Sequence, residues 1–164
     1  MIQEDKELLL KDLCARLPYG VIVRHADYLI DSDGNYTKQF WYKRGYLYNI
    51  CRLDNMTTTI IESEGSDEEG YEHICDLERS IPYLRPMSSM TEDERKELKK
   101  LCEEDLSEFA GFIKNGHGLS RDGLYMFDKL RQLEFCLSRH FDYHGLIEKG
   151  VALEAPEGMY KFND

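Results

Sequence analysis

The sequence predicts an α+β fold: an N-terminal helix, a small antiparallel sheet or SH3-like barrel, then two C-terminal helices and an ordered tail. Three observations predict it. Residues 3–16 carry leucines at helical spacing. The next sixty residues are rich in β-branched and aromatic side chains, cut by Gly and Asp turns. From Thr91 onward the apolar period returns to that of a helix.

The first helix is "QEDKELLLKDLCAR". Acids lead it and Arg16 closes it, which suits the helix dipole. Leu9, Leu13 and Leu17 form one stripe, with Leu10 beside it, and Pro18 and Gly20 stop the run. "GVIVRHADYLI" reads as a strand, and "DSDGN" turns the chain, Asp33-Gly34 being a good hairpin dipeptide. "YTKQFWYKRGYLYNICRLDN" is expected to hold two strands, broken near Arg44-Gly45. "TTTIIES" and "YEHICDLE" are further strands, separated by the acidic loop "EGSDEEG". Pro82 and Pro86 make "SIPYLRPMSSM" an extended connector.

"TEDE" at Thr91 is a capping box, in which Thr91 and Glu94 each accept from the other's amide. Leu98, Cys102, Leu106, Phe109 and Ile113 continue that helix. After the loop "NGHGLSRDG", Asp122 is placed as N-cap of a second helix reaching about residue 140. Phe127, Leu130, Leu137 and Phe141 share one of its sides. The tail from Gly145 reads as one helical turn and then irregular chain.

The 164 residues fit one domain, 1–164, with sub-lobes 1–86 and 87–164 as the alternative. Net charge is -11, split as -6 over residues 1–86 (16 acids, 10 bases) and -5 over residues 87–164 (16 acids, 11 bases). That even acidity argues against a basic nucleic-acid-binding lobe. Cys14, Cys51, Cys75, Cys102 and Cys136 are odd in number and form no CxxC, so buried reduced thiols are expected. The N-terminus "MIQEDKE" does not resemble a signal peptide and no apolar run is long enough for a membrane span. The expectation is a cytoplasmic protein with no cofactor.

Several stretches could carry chemistry. His140 and His144 stand four apart, the spacing at which two histidines on one helix face share a metal, and Asp142 could orient one of them. A zinc site needs three or four ligands, and no second pair is visible. His140 is expected in the last turn of a helix, and Gly145 ends that helix. Cys136 and His140, also i and i+4, form a conceivable dyad for which packing is the better reading. "DSDGN" misplaces the glycine of a calcium loop, with Tyr36 at the sixth position, and has Tyr42 where the bidentate Glu would stand. Glu62 to Glu78 holds eight acids and no Lys or Arg, with Asp67, Glu68 and Glu69 at its centre. It is read as a solvated loop, with a divalent cation or a basic partner as the alternatives.

"YTKQFWYKRGYLYNICR" holds six aromatic residues, four bases and no acid. Small β-domains stack single-stranded bases on such strands, here through Trp41, Lys43 and Arg44. Strand alternation instead favours a core role for most of the rings, with one or two exposed. No nucleophile elbow, P-loop or dinucleotide fingerprint is present.

The blocks "LLLKDLCARLPYGV", "PYLRPMSSMTEDER" and "HFDYHGLIEKGVALEAPEGMY" resemble an uncharacterised family of small acidic proteins from gut anaerobic bacteria, associated with phage or other mobile elements. They cover about half of the chain. The family pattern reads "HHFDYRGLIEKG", so His140 matches it and His144 stands where Arg is used. The resemblance implies no enzyme activity. The expected function is that of a non-enzymatic accessory protein that binds a protein partner. Tyr83, Arg85 and Met87 of "PYLRPM" and the acidic loop are its candidate contacts. Single-stranded nucleic-acid binding through residues 36–52 is the alternative, and a metal-dependent hydrolase using His140 and His144 the weaker one.

Overall fold

A computed structural model describes residues 1–30, 33, 36–53, 56–63, 72–101 and 121–162. Helix α1 spans Gln3–Arg16 and is followed by a short 3-10 turn, Leu17–Tyr19. Strands β1 (Ile22–Ile30), β2 (Tyr36–Leu53), β3 (Met56–Ser63), β4 (Glu72–Asp76) and β5 (Ile81–Leu84) come next. Helix α2 starts at residue 92 and is described as far as 101. Helix α3 spans Arg121–Ser138, and β6 is the short Leu153–Glu154.

The fold is α+β, built on a six-stranded sheet in the order β4-β3-β2-β1-β5-β6. All neighbours are antiparallel except β5 and β6. The sheet curls, bringing the Cys75 thiol of β4 within 3.7 Å of the Ala26 carbonyl of β1. It does not close into a barrel. β5 pairs with β1 at Val23 and Arg24, and among the described residues β4 forms no ladder with β1.

β2 is one strand of 18 residues and not two. Gly45 does not break it. A Cβ there would lie 2.5 Å from the Glu62 carbonyl and from a methyl of Ile61, so glycine lets β3 approach β2 closely. The irregularity comes later, as a bulge at Tyr48 between the pairs Leu47–Ile61 and Asn49–Ile60. The expected connector "SIPYLRPM" is partly strand β5, and the expected irregular tail supplies β6. Pro82 has no N–H for a ladder. The hydroxyl of Tyr160 fills that region, donating to the Tyr83 carbonyl (2.7 Å) and accepting from the Ile22 amide (3.1 Å).

The main core lies between α1 and one sheet face. Leu9 and Leu13 are fully buried against Val21, Val23, Leu47, Ile61, Leu77 and Leu84, with Leu146 from the tail. Each such leucine contributes roughly 2–3 kcal/mol. A second cluster joins Met90, Phe135, Cys136 and Phe141, with Leu98 and Leu101 of α2 beside it. Leu130, expected on the packed side of α3, is exposed, and Asp122, expected ahead of that helix, falls within its span. The continuation of α2 through Cys102, Leu106, Phe109 and Ile113 lies outside the described residues.

The capping box forms as expected. Thr91 Oγ1 accepts from the Glu94 amide (3.2 Å), and Glu94 Oε2 accepts from the Thr91 amide (2.8 Å). Glu94 also receives both arms of Arg85, at 2.7 and 2.9 Å. Burial pushes the Glu94 carboxyl up, but the hydrogen bonds and charge of Arg85 and the Thr91 bonds outweigh it and hold the pKa at about 2.

Candidate functional site

α3 ends in a Schellman motif. The Phe141 amide donates to the Cys136 carbonyl (2.8 Å) and the His140 amide to the Leu137 carbonyl (3.1 Å). His140 occupies the left-handed position of that motif, with φ 57°. It therefore sits past the helix and not in its last turn as a cation. Its ring is buried and stacks on Tyr160, 3.8 Å between centroids. Burial, and then the charge of Arg16, hold its pKa down at about 3, so the imidazole is neutral.

His144 has a separate task. Its Nδ1 lies 3.0 Å from Asp12 Oδ1. Asp12 and Arg16, one helical turn apart on α1, are a fully buried ion pair. Arg16 also donates to the Phe141 carbonyl (2.7 Å), tying α1 to the end of α3. Asp142 accepts from the amides of Leu146 and Ile147 at 2.8 and 2.9 Å and shapes the following turn. Among the described residues no group of three or more His, Cys, Asp or Glu is placed to hold a metal ion. Cys136 lies in the second core cluster, where burial pushes its thiol up. The expectation of buried thiols fails at Cys14, which is exposed, while Cys102 lies outside the described residues.

The "PYLRPM" residues differ in their availability. Tyr83 is half-buried in β5. Arg85 is committed to Glu94 and lies over the Phe141 ring, 4.2 Å from its centre. Met87 is exposed. Arg85, Glu94, Glu97, Arg139, Tyr160 and Phe162 line a cavity of about 680 Å³. Arg85 and Arg139 are engaged there with Glu94 and Glu97. Asp67, Glu68 and Glu69 lie outside the described residues.

The aromatic-basic strand is the surface that the structure changes most. Trp41, Tyr42, Tyr46 and Tyr48 are all exposed, against the expectation of one or two exposed rings. The reason lies in the packing of β2. Strand alternation sends Leu47 to the α1 face and Tyr42, Arg44 and Tyr46 to the opposite face, and the bulge leaves Tyr48 outside as well. Tyr42 lies opposite Ala26 and Tyr46 opposite Ile22, both small or aliphatic and both buried. Trp41 and Lys43 stand on the α1 face near the hairpin end, where both are exposed; Lys43 Nζ is 5.8 Å from the Trp41 ring centre.

This outer face has a charge gradient. Arg24 and Arg44 sit directly opposite one another on β1 and β2. Glu62 lies opposite Tyr46, and Glu72 of β4 lies opposite Glu62. Exposed Ile74 sits opposite Ile60 on the same face. Sequence reasoning named Trp41, Lys43 and Arg44, counted Tyr46 only among the rings of its stretch and Glu62 only in the acidic run, and missed Arg24 and Ile74. Only strand pairing brings these together. It also missed the His25–Cys75 contact, 3.9 Å from Nδ1 to Sγ, which exists because the sheet curls.

Comparisons with protein-family models, with curated proteins and with solved structures gave no match.

Proposed function

We propose that this chain is a non-enzymatic accessory protein that binds a protein partner through the outer face of its sheet. The observation that carries the reading is the composition of that face: Tyr42, Arg44, Tyr46, Tyr48 and Ile74 exposed together, with Glu62 beside them. Tyr and Arg dominate the binding energy of protein interfaces because they bury large, rigid area at low entropic cost and keep a polar tip. A face with bases at one side and acids at the other fits a partner of mixed charge. The resemblance to small acidic phage-associated proteins supports an accessory role encoded by a mobile element.

Immobilised wild-type chain is expected to retain one specific protein from a lysate of the cells that encode it, and the Tyr46→Ala/Tyr48→Ala variant to lose it. Equal retention by both, or by neither, refutes the reading.

Single-stranded nucleic-acid binding is the second reading, favoured by the exposure of Trp41, Tyr42, Tyr46 and Tyr48 beside Lys43 and Arg44. Trp41 and Lys43 stand on the opposite face from the tyrosines and Arg44, so the reading expects salt-sensitive retention of a single-stranded oligonucleotide on their face, lost in Trp41→Ala and Lys43→Glu. Glu62 and Glu72 weigh against a track on the tyrosine face, because they place carboxylates where the phosphates would run.

A further inference from the structure

We propose that the acid-bearing side of the outer sheet face takes an amphipathic helix of the protein partner, with an apolar stripe flanked by Lys or Arg. This rests on the reading of that face as a protein-binding surface and specifies what the partner presents to it.

The strand register lays the surface out. Glu62 of β3 lies opposite Tyr46 of β2 and Glu72 of β4. Ile60 lies opposite Asn49 and Ile74, and Leu53 pairs with Met56 at the far end. Alternation puts these side chains on the side away from α1, because their neighbours point into the core. Thr59 and Ile61 are fully buried, and Ile50 packs on the α1 cluster. Tyr46, Leu53, Met56 and Ile74 are exposed, as is Tyr48 at the bulge, with Tyr48 and Ile74 each at 63%. From Met56 to Glu62 the strand runs about 20 Å. That is the length of about 13 residues of α-helix.

Exposed apolar side chains gathered in one patch mark a contact surface. A partner strand joins a sheet at its edge, through backbone N–H and C=O groups, whereas a face takes the side chains of a packed layer. The opposite face of this sheet already takes such a layer, the Leu9 and Leu13 stripe of α1. Charge sets the flank of the stripe. Glu62 and Glu72 are direct cross-strand partners, with Cβ atoms about 5 Å apart, and like charges so placed destabilise a sheet. Both are exposed, and among the described residues neither has a basic partner. A Lys or Arg beside the apolar stripe removes that repulsion, and its long stem covers apolar surface next to Tyr46. The same two carboxylates repel a nucleic acid or an acidic peptide.

The test adds a peptide of two heptads, each Lys-Leu-Leu-Lys-Lys-Leu-Leu, to the full chain and follows the Met56 and Ile74 methyl signals by NMR. As a helix this peptide carries leucine on one side and lysine on the other. A second peptide has Glu for every Lys, and an oligothymidylate is the third probe. The expected result is a saturable shift of both methyl signals with the lysine peptide, which gains helical circular dichroism as it binds. The glutamate peptide is expected to bind at least about tenfold more weakly. Ile74→Ala removes apolar contact and is expected to weaken binding about tenfold. Glu62→Gln/Glu72→Gln is expected to weaken it about fivefold, the effect of two exposed ion pairs. Glu4→Gln/Glu148→Gln removes the same charge from exposed positions off this face and is expected to change binding less than about twofold. Every substituted position is exposed, so folding is preserved.

Unmoved methyl signals overturn the proposal, and so does equal binding of the glutamate peptide. Equal weakening by Glu4→Gln/Glu148→Gln also overturns it, because bulk charge then explains the binding. Binding without a gain of helix overturns it in favour of an extended segment. Methyl signals that move with protein concentration alone overturn it in favour of a second copy of this chain. A response to oligothymidylate at lower concentration than to the lysine peptide overturns it in favour of nucleic acid. The two readings fail separately. A partner lost in Tyr46→Ala/Tyr48→Ala but kept in Ile74→Ala and in Glu62→Gln/Glu72→Gln removes the helix site and leaves the sheet face. Peptide binding that depends on Ile74, Glu62 and Glu72, with no partner retained, removes the partner reading and leaves the helix site.

Discussion

Glu94→Gln removes one charge from the most densely bonded carboxylate of the described residues and leaves its size unchanged. Two routes give the cost. The carboxyl pKa is held at about 2 against an ordinary 4.5. Each tenfold change in a proton equilibrium is worth about 1.4 kcal/mol, so the folded state gains roughly 3 kcal/mol from the ionised form. The contacts give a similar figure. The two-armed bond from Arg85 is worth about 1.5–3 kcal/mol as a charge-assisted pair, and the capping box adds about 1 kcal/mol. Glu94 is only 7% exposed, so solvent screens little of this.

The sign fixes the pH window. A carboxyl whose pKa is depressed by folding stabilises the protein fully above its unfolded value, and that stabilisation is lost as pH falls through the folded value. Wild type should therefore exceed Glu94→Gln by about 3 kcal/mol at neutral pH. The gap should close between about pH 4.5 and pH 2, to under about 1 kcal/mol. Urea unfolding of both proteins across this range measures it. In a heat scan at neutral pH the variant should melt roughly 6–12 °C lower. A gap below about 1 kcal/mol at neutral pH, or a gap that persists undiminished at pH 2, refutes the reasoning.

Asp12→Asn should cost about 3–5 kcal/mol in urea unfolding, because it leaves the fully buried Arg16 without its counter-charge; a loss below about 1 kcal/mol would show that water reaches Arg16. Tyr160→Phe leaves the Ile22 amide and the Tyr83 carbonyl without the hydroxyl that serves both and should cost about 1–3 kcal/mol, with faster hydrogen exchange at the Ile22 amide. The His140 ring should keep neutral-imidazole chemical shifts from about pH 7 to pH 4, since its folded pKa is about 3. Its depressed pKa makes stability fall as pH drops from the unfolded value near 6.5 toward 3, and a ring that titrates near 6.5 in the folded protein contradicts the burial. Gly45→Ala should destabilise by about 1–3 kcal/mol, because the new methyl meets β3 backbone at 2.5 Å; wild-type stability would mean that β3 can move away.

The sequence by itself determined the local elements. Leucine spacing and the stop at Pro18 placed α1, the reciprocal Thr91–Glu94 cap opened α2, and β-branched runs marked the strands through β4. These signals act between residues a few positions apart, and propensity and periodicity report them directly. The structural roles of His140 and His144 were legible only in part. Gly145 indicated that a shared helix face was absent, but the left-handed site of His140 and the Asp12 partner of His144 depend on α1 packing against the end of α3. A buried Asp12–Arg16 pair on a helix that reads as polar at those positions was hidden for the same reason.

Tertiary structure alone decided which sheet face stays open. Alternation assigns residues to two faces but does not say which face a helix will cover. Once α1 takes the face of Val23 and Leu47, the rings of Tyr42, Tyr46 and Tyr48 are left outside. The pairing register then sets Arg24 against Arg44, two residues twenty positions apart, and turns an aromatic-basic stretch into a candidate binding surface.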